Sequence, residues 1–213
     1  VVSSAMSGVT NELIKKAKNI SKNFSDSEYD VLVSSGEQVA CSLIAGRLIN
    51  NGIKSRSWLA WQIPILTNGF YKNSRIVEIN KNKISKFLKD GGVPIIAGFQ
   101  GIDNKERITT IGRGGSDASA IMLSKFFKAQ RCIIYTDVEG IYTTDPNLIN
   151  KAKKIKKISY EEMLEMSSLG AKVMQATAVQ TAMLYEIPLH VRSTFTGNKG
   201  TQIFSSKNID YSK

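Results

Sequence analysis

The sequence predicts an α/β protein built on a mostly parallel sheet with helices on both faces. Three observations carry this expectation. Short apolar runs alternate with helical patterns along nearly the whole chain. Two of the runs, inside VPIIAGFQGI (93–102) and RCIIYTDVEG (131–140), are apolar without alternation, as strands buried on both faces are. A glycine-rich turn, IGRGGSD (111–117), joins a strand pattern to a helix pattern.

In chain order, VVSS reads as a short strand entering a segment whose later part is an amphipathic helix, ending near Ile20. Residues 26–51 form a long helical stretch, with Val39 and Leu43, and Ala40 and Ile44, at helical spacing. Gly36 sits inside it, so one helix, or two meeting at that glycine, both fit, and Gly52 is the expected stop. Residues 53–66 read as extended, 67–79 as a hairpin, and 80–92 as a helix closed by two glycines. A buried strand (93–102) precedes the strand and turn of RITTIGRGGSD, and a helix follows over 118–129. RCIIYTDVEGIYTTDP then reads as a buried strand running into a loop. Ser159 and Glu162 have capping-box spacing before YEEMLEM, residues 171–186 read as a further helix, and 187–194 as a strand. One domain over 1–203 and a polar tail over 204–213 are expected.

Composition narrows the function classes. The 213 residues, 42% hydrophobic and 22% charged, fit an ordinary globular chain. No apolar run approaches about 18 residues, so no membrane span is expected. The start, VVSSAMSGVTNELIKK, lacks the charged and apolar regions of a signal peptide. Cys41 and Cys132 lie in apolar surroundings, which points to reduced thiols and a cytoplasmic protein. The net charge of +11 comes mostly from lysine, 22 of 29 basic residues, scattered along the chain. The densest run, KAKKIKK (151–157), has no interleaved aromatics and reads as a solvated face, so no nucleic-acid partner is expected. A positive field also suits an anionic small substrate.

The turn at 111–117 carries the first functional expectation. Glycines let the backbone turn sharply and approach a ligand closely. A helix N-terminus offers unpaired N–H groups and a positive dipole end, so together they favour an anion. Arg113 adds a planar fork matched to a carboxylate or phosphate. The stretch lacks the Lys-Ser/Thr ending of a P-loop, and a plain turn with Ser116 as helix cap is the alternative. The only histidine, His190, lies on an apolar strand pattern and reads as structural.

Seven stretches, VVSSAMSGVTNEL, SSGEQVACSL, PIIAGFQGI, ITTIGRGGSDASA, YTDVEGIYTTDP, ISYEEMLEMSSLGAKVM and IPLHVRSTFTGNKGTQI, together resemble the catalytic domain of the aspartate kinase family, in that family's order. The resemblance implies the amino-acid kinase fold, a three-layer αβα sandwich with a mostly parallel central sheet. It implies transfer of the γ-phosphoryl group of ATP to the side-chain carboxylate of L-aspartate, with Mg²⁺ carried by the ATP phosphates and no protein-held metal. On the substrate side it points to Thr10, Glu37, Arg113, Gly114, Gly115 and Ser116, with Arg113 on the α-carboxylate and Glu37 on the α-ammonium. Asp117 would organise the transfer centre beside Arg113 and Lys172. For ATP it points to Ser7, Gly8, Thr136, Asp137, Tyr142, Asp145, Asn147, Lys172 and Val173. Read alone, Glu37 is a solvated helix carboxylate, Thr10 a helix cap and Lys172 a surface lysine. The set makes chemical sense, because phosphoryl transfer to an existing anion needs positioning and cations more than a general base.

This chain departs from the family in three places. Asn147 stands where the family usually has arginine. The chain stops after GTQI, where regulatory domains of the ACT type follow in the family, so lysine or threonine is expected to find no site. It begins at the family's second strand, without the opening K-F-G-G strand and its lysine. The catalytic domain is therefore expected to be incomplete and not a competent kinase by itself, with complementation by an N-terminal segment, or a homo-oligomer, left open. Another amino-acid kinase acting on acetylglutamate, glutamate or UMP, or an inactive fragment that binds nucleotide or a partner, are the alternatives.

Overall fold

A computed structural model describes residues 1–146, 148–169 and 173–208. The chain separates into two units, Val1–Phe126 and Phe127–Lys213. The first runs β1 (Val2–Ser3), α1 (Val9–Ile20), α2 (Asp26–Asn50), β2 (Ser55–Trp58), β3 (Ile65–Thr67), β4 (Ile76–Ile79), α3 (Asn82–Lys89), β5 (Val93–Ala97), β6 (Gln100–Ile102), β7 (Ile108–Thr110) and α4 (Gly115–Phe126).

Its first sheet has the order β1-β5-β2, with β5 parallel to both neighbours. Residues 94–97 of β5 are all buried, which is why the sequence there is apolar without alternation. Cys41 and Ala45 of α2 pack on Ile95 and Ala97, and the Cys41 thiol donates to the Ile95 carbonyl at 3.0 Å. The second sheet has the order β4-β3-β6-β7, in which β3 pairs antiparallel with β4, as the hairpin reading expects, and parallel with β6.

Three local expectations change. Residues 26–50 are one continuous helix, and Gly36 is a contact point within it. A Cβ there would lie 2.9 Å from Ala5 Cβ and 3.2 Å from Val9 Cγ1, so only glycine lets α2 approach the turn before α1 this closely. The apolar run 93–102 is two strands, β5 and β6, broken at Gly98 and Phe99, where Phe99 takes a left-handed φ of 65°. In 53–66 only Ser55–Trp58 and the start of β3 are strand; between them a turn is held by the Gln62 side chain, which accepts the Leu59 N–H at 2.9 Å.

The second unit runs β8 (Cys132–Thr136), β9 (Lys157–Ser159), α5 (Tyr160–Ser168), α6 (Ala176–Leu184), β10 (Leu189–Ser193) and β11 (Thr201–Phe204). Its sheet has the order β8-β10-β11-β9 and is mixed: β10 is parallel to β8 and antiparallel to β11, while β11 and β9 are parallel. As an outer strand of this unit's sheet, β8 alternates: Cys132 and Ile134 are buried, whereas Ile133 and Tyr135 are 38% and 60% exposed. This corrects the two-face burial expected from its apolar sequence. The capping box forms, with Ser159 Oγ accepting the Glu162 N–H and Glu162 Oε2 accepting the Ser159 N–H at 2.8 Å. The helix expected from residue 171 begins, as described, at Ala176, and β9 starts at Lys157, the last residue of the lysine run that reads as surface. His190 is buried in β10, its Nε2 hydrogen-bonded to the Lys199 carbonyl. No helix among the described residues is long and apolar enough to cross a membrane.

Candidate active site

The turn at 111–117 is built by left-handed glycines. β7 ends at Thr110, Gly112 and Gly114 have φ of 79° and 70°, and α4 starts at Gly115. Arg113 therefore stands exposed between two positions that favour glycine. Gly112 is also required by space, since a Cβ would lie 3.1 Å from Asn73 Oδ1 and 3.2 Å from the Lys72 carbonyl. Ser116 and Asp117 lie inside the first turn of α4, so Ser116 does not cap it from outside. Burial pushes the Asp117 carboxyl up to about 6. Beneath the turn, Ser119 Oγ accepts the Phe99 N–H at 3.0 Å and donates to the Gly115 carbonyl at 2.8 Å, tying the β5–β6 break to the start of α4.

Glu37 projects from α2 and is only 4% exposed, which overturns its reading as a solvated carboxylate. Its Oε1 accepts the Ala5 N–H at 3.2 Å, and Oε2 has no hydrogen-bond partner among the described residues. Burial raises its pKa to about 7. A buried carboxylate with one idle oxygen is prepared for a cation. The turn it touches carries Ser7 and Gly8, both exposed. Gly8, with φ 83°, precedes α1, so Thr10 is the second residue of the helix and not its cap.

Sequence reading missed the residues that join these pieces. Asp30, fully buried in α2, accepts the Thr110 N–H at 2.8 Å, the Thr110 hydroxyl at 2.7 Å and the Lys72 N–H at 2.9 Å. Burial pushes its carboxyl up against the pull of those donors. Gln100, also fully buried, donates from Nε2 to the Ser34 carbonyl of α2 at 3.2 Å. One signal was available: Asp30 and Glu37 are seven residues apart, hence on one face of the helix, and two acids on a face that packs need partners.

In the second unit, Thr136 closes β8 and donates from its hydroxyl to the exposed Asp137 at 3.0 Å. Tyr142 pairs through its backbone with Lys154, and its hydroxyl donates to Glu139 Oε2 at 3.4 Å. Lys154 also pairs with Glu139 at 3.5 Å, so part of the lysine run stiffens the loop that carries Tyr142. Asp145 is exposed and its carbonyl accepts the Leu148 and Ile149 N–H groups, while Val173 is half-buried. Asn147 and Lys172 lie outside the described residues. Among the described residues no group of three or more His, Cys, Asp or Glu is placed to hold a metal ion. A surface groove of about 490 Å³ near β2 and α3, lined by Arg56, Trp58, Trp61 and Phe87 among others, contains none of these residues.

Comparison with known proteins fits this geometry. Residues 1–193 match the model of the amino acid kinase family. An aspartate kinase of Stutzerimonas stutzeri is 49% identical over 203 residues, which is 95% of this chain and 49% of that protein. The chain thus spans about half the length of the curated relatives it matches. The crystal structure of aspartate kinase from Synechocystis superposes with a TM-score of 0.82 at 40% identity, covering 95% of this chain and 33% of that one. E. coli aspartokinase III, solved in complex with aspartate and ADP, superposes with a TM-score of 0.80 at 31% identity over 92% of this chain and 45% of its own. With its α/β architecture, its left-handed glycine turn and a family match running from residue 1 to residue 193, this chain belongs to the amino acid kinase family.

Proposed function

We propose that the protein phosphorylates the side-chain carboxylate of L-aspartate with ATP, giving 4-phospho-L-aspartate and ADP. The observation that carries this reading is Glu37: a buried carboxylate with an unpartnered oxygen, in the same unit as an exposed arginine on a glycine turn. An α-amino acid presents the two charges those groups need. Glu37 receives the α-ammonium, and Arg113 receives the α-carboxylate with help from the Gly114 and Ser116 backbone at the α4 N-terminus, while Gly115, whose N–H donates to the Gly112 carbonyl at 3.0 Å, shapes the turn on the substrate side. Thr10 lines the substrate side.

In the reaction a carboxylate oxygen attacks the γ-phosphorus, the bond from γ-phosphorus to the β,γ-bridging oxygen breaks, and ADP leaves with that electron pair. No proton leaves the acceptor at neutral pH, so no strong base is needed. Lys172 and Arg113 offset the repulsion between the two anions. Mg²⁺ enters as part of the MgATP substrate. Asp117 organises the transfer centre. Thr136, Asp137, Tyr142, Asp145, Asn147 and Val173 are the second unit's candidates for binding the nucleotide, and Ser7 and Gly8 are those of the first unit. The names of the relatives support aspartate as acceptor. On this reading the protein acts in the cytoplasm at the entry to lysine, diaminopimelate, threonine and methionine synthesis.

The test is aspartate-dependent ADP release, with hydroxylamine trapping the acyl phosphate as a hydroxamate. Turnover with acetylglutamate, glutamate or UMP in place of aspartate would overturn the substrate assignment. Nucleotide binding with no turnover on any acceptor, with a segment carrying the K-F-G-G strand supplied as well as without it, would overturn the activity.

A further inference from the structure

We infer that Asp30, which touches neither substrate in the reading above, is the positioning residue that sets Arg113 against Glu37. The inference rests on that reading for its kinetic consequence, and on geometry alone for its structural one.

Asp30 is fully buried and both its oxygens are engaged. Oδ2 accepts the Thr110 N–H at 2.8 Å and the Lys72 N–H at 2.9 Å, and Oδ1 accepts the Thr110 hydroxyl at 2.7 Å, with the Lys72 N–H also 3.1 Å from it. Thr110 is the last residue of β7, three before Arg113. Lys72 begins the segment on which Gly112 rests, 3.2 Å from the Lys72 carbonyl to a Cβ built there, and Ser74 N–H donates to the Thr110 carbonyl at 2.8 Å. One carboxylate thus fixes both the strand that enters the Arg113 turn and the surface against which that turn is folded. It also stabilises Lys72 at a left-handed φ of 64°, which a lysine rarely adopts.

The other end of the ruler is on the same helix. Glu37 lies seven residues further along α2, two turns and about 10 Å of rise, on the same face. There it accepts the Ala5 N–H. Between them the Ser34 carbonyl accepts from Gln100. A rigid helix pinned to the Arg113 turn through Asp30 therefore presents Glu37 at a fixed separation from Arg113. The carboxylate takes both N–H groups and the hydroxyl as acceptor; asparagine keeps an oxygen for the two N–H groups only by turning its NH₂ to the Thr110 hydroxyl, which must then accept, and it removes the charge that strengthens all of these bonds.

The experiment compares Asp30→Asn and Thr110→Val with the wild-type protein. Two quantities are read: the KM for aspartate against the KM for ATP, and hydrogen–deuterium exchange of residues 109–117. Asp30→Asn should raise the aspartate KM roughly 10- to 100-fold, the loss of a hydrogen bond to a charged group. The ATP KM should stay within about twofold, and exchange at 109–117 should rise while that of β8 does not. If Asp30→Asn fails to fold, Thr110→Val, which removes the hydroxyl bond alone, carries the same split at roughly 3- to 10-fold. Unchanged exchange at 109–117, or equal rises in both KM values, would overturn the inference. A wild-type protein without aspartate-dependent turnover even when the K-F-G-G strand is supplied refutes the proposed function instead, and the exchange measurement then decides the positioning role by itself.

Discussion

Replacing Glu37 with glutamine separates the cost of burying a charge from the value of that charge to a substrate. The Glu37 pKa rises from its ordinary 4.5 to about 7, and burial is the cause. At about 1.4 kcal/mol per pH unit, this corresponds to about 3 kcal/mol. The sign follows from proton counts. Between pH 4.5 and 7 the unfolded chain has lost the Glu37 proton while the folded chain keeps it, so folding stability falls as pH rises through that window and levels off above it. Glutamine keeps an oxygen for the Ala5 N–H and does not titrate. Urea denaturation of both proteins from pH 4.5 to 8.5 should therefore show Glu37→Gln gaining about 3 kcal/mol on the wild type by pH 7, with no further gain above it. Contributions from Asp117, which titrates near 6, cancel in the difference. Aspartate binding should run the other way. In the wild type it tightens as pH rises to about 7, because the ammonium needs the ionised partner; in the variant it is weak and flat. Stability curves that stay parallel across the window would refute the argument, since the buried carboxyl would then carry no excess proton.

Other outcomes are expected. Arg113→Ala should cost about 2–5 kcal/mol of aspartate interaction, measured as KM, and an unchanged KM would remove Arg113 from the pocket. Gly36→Ala places a Cβ 2.9 Å from Ala5 Cβ, so it should destabilise the first unit by about 1–3 kcal/mol and raise the aspartate KM by displacing the turn that Glu37 contacts. Gly200→Ala combines a φ of 70° with a Cβ 2.0 Å from the Val191 carbonyl, a backbone atom that has little room to move. A loss of about 2–5 kcal/mol in thermal melts is expected, and an unchanged melting temperature would show that β10 and β11 part easily.

The parts of the fold legible in the sequence were those with a local cause. The capping box of Ser159 and Glu162 is set by three-residue spacing, and the stretch before α4 by glycines that must turn left-handed. The α2 glycine was ambiguous because its reason lies 31 residues away, at Ala5. The break at Phe99 was invisible, since an aromatic residue in an apolar run gives no sign of a left-handed φ. β9 was hidden by the lysine run that ends in its first residue, Lys157, which is exposed and gives no sign that the next residue, Ile158, is buried opposite Ile203. In the site, Arg113 and the glycines stood out by composition. Asp30 did not, because its partners are two backbone N–H groups and a threonine hydroxyl, none of which a sequence pattern marks.

The two thiols have a practical consequence. Cys41 is inaccessible in the first unit, and Cys132 is 5% exposed in the second. A thiol reagent can reach either sulfur only when its own unit opens, so the labelling rate at each site is a clock for that unit's unfolding. Mass spectrometry of the two labelled peptides would time both clocks in one sample, without an added probe. Repeating the measurement with aspartate or nucleotide present would assign to each ligand the unit it stabilises.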